Sequence, residues 1–265
     1  MAETLIFERD GRIGRLRLNR PAKLNAQTPQ MWAELRDLGR SLRDDRDLRC
    51  LIVSGEGRAF SSGIDLSEIT GPGGLAAAAG TGEDRLAALI RQGQEAFTWL
   101  VGAPFASIAA LRGYALGAGL QLALACDLRV AARGTQLGAL EFRYGLLPDL
   151  GGTAWLPRLV GPARAKELVF TAARIDGDEA LRIGLVNRVV EEVELDAAVD
   201  ALAETIAAQP PLALMHAKRA IDAFPDEERS LQLAAEGQAV CLRSDDFVEA
   251  GKAFLEGRAP AYRGR

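Results

Sequence analysis

Histidine is almost absent from this chain: His216 is the only one in 265 residues. That excludes a multi-histidine metal site, and any Ser-His or Cys-His nucleophile must recruit this one side chain. Cysteine is scarce too. Cys50, Cys126 and Cys241 are odd in number and widely spaced, which gives neither a disulfide framework nor a zinc spacing and fits a reducing cytosol. No apolar run approaches the ~20 residues a membrane helix needs, and the opening stretch MAETLIFERDGRIGRLRLNRP has no apolar core of the secretory kind. A surplus of positive charge is also missing. Lys+Arg 32 against Asp+Glu 36 gives a net charge of −4, which disfavours nucleic acid as a partner. The expectation is a cytoplasmic protein with no bound metal and no membrane or nucleic-acid partner.

What is present is 48% hydrophobic and 26% charged residues, the balance of a globular protein with a sizeable core. Residues 4–9 and 13–19 read as a hairpin turned at Asp10-Gly11. Thr28-Pro29 reads as an N-cap and first helical residue, and Trp32, Leu35, Leu38 and Leu42 follow at helical spacing. Residues 48–54, 105–111 and 126–132 are short apolar runs of the buried-strand type, with helices expected over 84–100 and from Gly119 onward. The order predicts a mixed α/β core with helices on its sheets. GPGGLAAAAGTGED, with no helical stripe, reads as a surface loop. From Pro162 the chain turns helical, and a division near residue 195 separates a core, 1–195, from a helical region, 196–265.

Two glycine-containing loops each follow a predicted strand, Ser61-Ser62-Gly63-Ile64-Asp65 and Gly117-Ala118-Gly119. Small residues there let a ligand approach backbone N–H groups, and the second loop adds the positive end of a helix. Neither is a nucleotide motif: a third glycine is missing from the second, and Gly-Lys-Ser/Thr from the first. Glu141 and Asp149 flank the turn segment FRYGLLP, so two acids delivered to one pocket could move a proton between substrate atoms. On a plainer reading Glu141 is solvated and Asp149 caps a helix that starts near Gly152.

LNRPAKLNA (18–26), AFSSGIDL (59–66), ALRGYALGAGLQLALACDLRVAA (110–132), EFRYGLLPDLGGTAWLPRLVG (141–161) and IGLVNRVV (183–190) together resemble the crotonase, or enoyl-CoA hydratase/isomerase, superfamily. The resemblance implies an α/β spiral of repeated ββα units, a helical C-terminal trimerisation region and a homotrimer or dimer of trimers. It also implies an acyl-CoA substrate, with coenzyme A as the substrate's handle and no separate cofactor. The family's oxyanion hole falls on the N–H groups of Ile64 and Ala118, Ile64 being bulkier than the alanine usual there. Lys23, Leu24, Ala26, Ser62, Gly63, Asp65, Leu66, Tyr114, Gly117 and Gln121 fall along the implied substrate path. In hydratases two glutamates activate water. The first of these positions is Gln121 here and the second is Glu141, so the resemblance points to double-bond isomerisation, with Asp149 as partner acid and hydration as the rival reading. Two further readings are a non-catalytic acyl-CoA-binding or RNA-associated relative, and a serine hydrolase recruiting His216 or a lysine beside Ser61 or Ser62. Asp65 is expected to tie down its own loop, His216 to be structural, and the helix face around Lys218 to be solvated.

Overall fold

The computed structural model describes residues 3–70, 80 and 82–265, so most of the Gly/Ala stretch read as a loop lies outside the described residues. Strands β1 (Leu5–Asp10) and β2 (Ile13–Leu18) form the expected antiparallel hairpin, pairing Asp10 with Ile13. Helix α1 (Pro29–Leu42) starts where the sequence places it, the Thr28 hydroxyl accepting from Met31 N–H. Then come β3 (Cys50–Gly55), the short α2 (Ser67–Thr70) and α3 (Glu83–Val101). Two strand–strand–helix units follow. The first is β4 (Ala106–Leu111), β5 (Tyr114–Leu116) and α4 (Ala118–Ala125); the second is β6 (Leu128–Ala132), β7 (Gln136–Gly138) and α5 (Gly152–Thr171). After α6 (Gly177–Arg182) and β8 (Arg188–Val190) the chain is helical: α7 (Leu195–Ala207), α8 (Pro211–Asp222), α9 (Glu227–Leu242) and α10 (Asp245–Glu256).

The main sheet runs β1-β2-β3-β4-β6-β8, parallel from β2 onward. Its central strands are buried on both faces, which explains their near-continuous apolar runs. Alternate residues go to opposite sides. Leu51, Val53, Ala109 and Leu111 enter the larger core, whereas Cys50, Ile52, Ile108 and Ala110 meet Leu195, Val199 and Ala203 of α7. Burial pushes the Cys50 and Cys126 thiols up to about 12, so these cysteines stay protonated and inert.

A second, smaller layer turns the units into a spiral. β5 pairs parallel with β7, Ser61 bridges to Ala115, and Gln27 bridges to Ile64. The connections leaving β3 and β4 are thereby laid side by side at one end of the sheet. Every residue of α4 is buried, the polar Gln121 included, so its first turn sits inside the molecule.

The helical end of the chain corrects one expectation. Lys218 does not lie on a solvated face: it is 9% exposed and its Nζ donates to Leu100 O at 2.8 Å, Phe105 O at 3.1 Å and Asp127 Oδ2 at 2.9 Å. Asp127 also accepts from Ser107 N–H and Oγ–H. Helix α8 is therefore pinned to the chain entering β4 and β6. His216, on the same helix, packs against Gly237 of α9, where a Cβ would stand 2.5 Å from its own.

Candidate active site

Two loops that are distant in sequence meet at the start of α4. Leu24 and Asn25 both have positive φ, and the buried Asn25 side chain holds that bend: its Oδ1 accepts from Arg20 N–H, and its Nδ2 donates to Glu56 O and Ala59 O. The LNRPAKLNA segment is thus tied to the AFSSGIDL segment. Ser61 N–H donates to Tyr114 O, and Leu116 N–H donates to Ser61 O, which joins the second segment to β5.

Gly63 stands at the closest approach. Its φ is +99°, and a Cβ there would lie 2.8 Å from Leu116 O and 3.6 Å from Ala118 N. Gly117, φ +52°, precedes the helix, and a Cβ on it would lie 3.4 Å from Glu141 Oε1. At both positions a side chain would meet strain as well as crowding. Among the described residues neither Ile64 N–H nor Ala118 N–H donates to a protein acceptor. Ala118 N is the first amide of α4, where the helix itself offers none.

Glu141 faces this junction from the 3-10 turn Glu141–Tyr144. Its Oε1 accepts from Gln121 Nε2 at 2.8 Å, while its Oε2 is buried without a hydrogen-bond partner. An unsatisfied buried carboxylate oxygen is costly and calls for a reason. Burial raises the Glu141 carboxyl above the ordinary range, Asp149 adds to the rise, and the bonds from its own backbone and from Gln121 oppose it. Asp149 is also raised, by burial first. Two buried carboxyls that influence each other and are both shifted upward are groups able to hold or release a proton.

Asp149 does not cap the following helix. The N-cap of α5 is Gly151 with no side-chain cap, and Gly152 N–H instead donates to Gln121 Oε1 at 2.9 Å. The Asp149 carbonyl accepts from Gln94 Nε2 of α3 at 2.7 Å, so the acid is placed through its backbone. Gln121, 1% exposed, consequently has both ends in use.

The other sequence candidates spread around this centre. Ala26 is buried beside it. Ser62 N–H donates to Leu24 O and its hydroxyl to Lys23 O, leaving Lys23 exposed at the rim. Asp65 does tie down its loop: Oδ1 accepts from Ser67 Oγ and N–H, and Oδ2 pairs with Arg20 at 2.9 Å. Those bonds, the Ser67 hydroxyl first, hold its carboxyl below the usual range. Leu66 is 54% exposed and Tyr114 half-buried, the latter joined to the site through its carbonyl. Ser61 Oγ donates to Asn25 O, and His216 lies between α8 and α9, so a serine hydrolase would have no histidine base here. Gln27 and Gln94 were not anticipated. The only sequence signal for Gln27 is a polar residue directly after LNA.

The α/β spiral of strand–strand–helix units with a helical C-terminal region matches the crotonase fold. The family model described as enoyl-CoA hydratase/isomerase matches residues 8–265. A crotonyl-CoA hydratase of Syntrophomonas wolfei is 36% identical over 259 residues, covering 97% of this chain and 96% of that one. An enoyl-CoA hydratase crystal structure from Bacillus anthracis superposes with a TM-score of 0.90 at 32% identity, over 99% of this chain and 100% of the other. A Thermobifida fusca protein solved in complex with acetoacetyl-CoA gives a TM-score of 0.81 at 41% identity, over 90% and 94% of the two chains. The chain is an enzyme of the enoyl-CoA hydratase/isomerase family.

Proposed function

We propose that this enzyme binds an unsaturated acyl-CoA thioester and moves its double bond in preference to adding water. The thioester oxygen accepts hydrogen bonds from Ile64 and Ala118 N–H, which stabilise the negative charge that develops when the α-carbon loses its proton. Glu141 Oε2 takes that proton and returns it to the γ-carbon, and Asp149 acts as the partner acid. No separate cofactor takes part; coenzyme A is the handle by which the substrate is held, with Lys23 at the rim of its path.

One observation carries the preference for isomerisation: the position that would hold a second glutamate is the Gln121 amide, spent on Glu141 and on Gly152 N–H. An amide cannot take a proton from water at neutral pH. The hydratase names of the relatives favour the second reading, in which Glu141 activates a water alone. A product assay on paired 3-enoyl- and 2-enoyl-CoA substrates separates the two. Isomerisation is expected to exceed hydration in the wild type, and Gln121→Glu to shift the ratio toward hydration. A wild type that hydrates faster than it isomerises overturns the preference. Asp149→Asn is expected to slow isomerisation, since the carboxyl is near enough to Glu141 to raise it and caps nothing.

We also propose that copies associate through the helical end of the chain. Phe254 and Leu255 of α10 are each 86% exposed, Leu231 of α9 is 72% and Ile221 of α8 is 71%, large apolar side chains open on three of the four closing helices. Closed cyclic symmetry, as a trimer or a dimer of trimers, would cover them. Sedimentation at micromolar concentration is expected to give a multiple of the 28.3 kDa chain mass, and a monomer refutes the proposal.

A further inference from the structure

Two amides on separate loops serve one oxygen only if the loops are fixed to each other within roughly 0.5 Å. Gln27 reaches both. It is fully buried, at 0% exposed. Its N–H donates to Gly63 O at 2.7 Å and its C=O accepts from Asp65 N–H at 2.8 Å, so its backbone brackets Ile64 and leaves the Ile64 amide unspent. Its side chain turns the other way. Nε2 donates to Ala118 O at 3.2 Å and to Ser61 Oγ at 3.3 Å. Trp32 Nε1–H donates to Gln27 Oε1 at 2.9 Å. An indole N–H is only a donor, so it fixes which end of the amide faces Ala118. The indole is itself held edge-on against Phe97, with ring centroids 6.1 Å apart.

An apolar side chain would fill this space at less desolvation cost, so the amide needs a reason beyond packing. Its bonds fall on the two segments that carry the free amides, Ser61 being the first residue of one of them. We infer that Gln27 is a positioning residue, a clamp that holds the Ile64 and Ala118 N–H groups in register on one oxygen, with Trp32 setting its orientation. The inference rests on the proposed role of those two amides. A near-isosteric methionine retains the backbone bracket and removes the clamp.

The test compares wild type, Gln27→Met and Trp32→Phe in three measurements: kcat and KM, the absorption of a bound aryl-acryloyl-CoA chromophore, and affinity for an alkyl-CoA thioether. The chromophore shifts to the red as its carbonyl oxygen accepts hydrogen bonds; the thioether has no carbonyl. Gln27→Met is expected to lower kcat by about 10–100-fold, less than the ~100–1,000-fold of deleting a donor outright. It should also reduce the red shift and leave thioether affinity unchanged. Trp32→Phe should move the same readouts by less, and it carries the comparison if Gln27→Met does not fold. A Q27M protein with the full wild-type shift, or one whose kcat loss is matched by lost thioether binding, overturns the clamp. An unshifted chromophore on the wild type overturns the two-amide site itself, and the clamp with it.

Discussion

Glu141→Gln is expected to lower turnover by about 100–10,000-fold, the usual contribution of a general acid/base, or ~2.7–5.5 kcal/mol in the barrier. Acyl-CoA affinity should change little, because the amide oxygen of the substituted side chain can still accept from Gln121 Nε2 and neither free amide is touched. Steady-state kinetics beside equilibrium binding of the same thioester checks both halves; retained turnover would remove Glu141 from the chemistry. The pH dependence follows from burial, which raises this carboxyl above its ordinary value. Removing an α-proton needs the carboxylate, so activity should fall on acidification through a pKa above the usual carboxylate range of about 4.

Stability should move in the opposite sense. A carboxyl whose folded pKa exceeds its unfolded value holds its proton more tightly when folded. Its favourable contribution is complete below the unfolded pKa and is lost as pH rises through the folded one. Asp149 has the same sign. At neutral pH the wild type bears the cost of these buried charges, whereas E141Q bears one fewer. The variant should therefore melt no lower than wild type at pH 7, and its advantage should shrink as pH falls through the raised folded pKa and be gone below the unfolded carboxylate value. A melting temperature well below wild type at pH 7 would mean that the charge is better satisfied than the unpartnered Oε2 indicates.

Lys218→Met is expected to give the largest loss of stability, about 3–5 kcal/mol, because breaking a buried ion pair leaves the other charge uncompensated. The Lys218 side chain is 7% exposed and that of Asp127 23%, and the lysine also satisfies the carbonyls of Leu100 and Phe105. A shift in melting temperature of roughly 6–15 °C should accompany it. The double variant with Asp127→Asn should be less destabilised than the sum of the singles, since the unpaired carboxylate is gone. Strict additivity in that cycle would show that the lysine acts through its packed stem alone.

Both expected effects come from residues whose surroundings the chain reveals unequally. The hairpin at Asp10-Gly11, the Thr28 cap and the buried central strands were legible because they follow from neighbouring residues: turn conformation, a hydroxyl within reach of the first helical amides, and apolar runs of strand length. The Ile64 and Ala118 loops were legible for a related reason. Each is a short glycine-containing turn after a strand, and a local motif carries most of its own backbone geometry.

Partnership across the fold was not legible. Lys218 sits in a pattern that reads as a solvated helix face, and only the docking of α8 under β4 and β6 turns it inward to Asp127. Asp149 has the spacing of a helix cap, yet Gln121, thirty-one residues before Gly152, supplies the acceptor there while its other end holds Glu141. Gln27 gives no local sign of touching Ala118, ninety-one residues away. By itself the sequence determined the hairpin, the buried central strands, the main helices, the two amide-bearing loops and the family, but not the short strands β5, β7 and β8. The tertiary structure decided which oxygen of Glu141 is left bare, what caps α5, and what holds the loops together, because each depends on a side chain whose partner is delivered by another turn of the spiral.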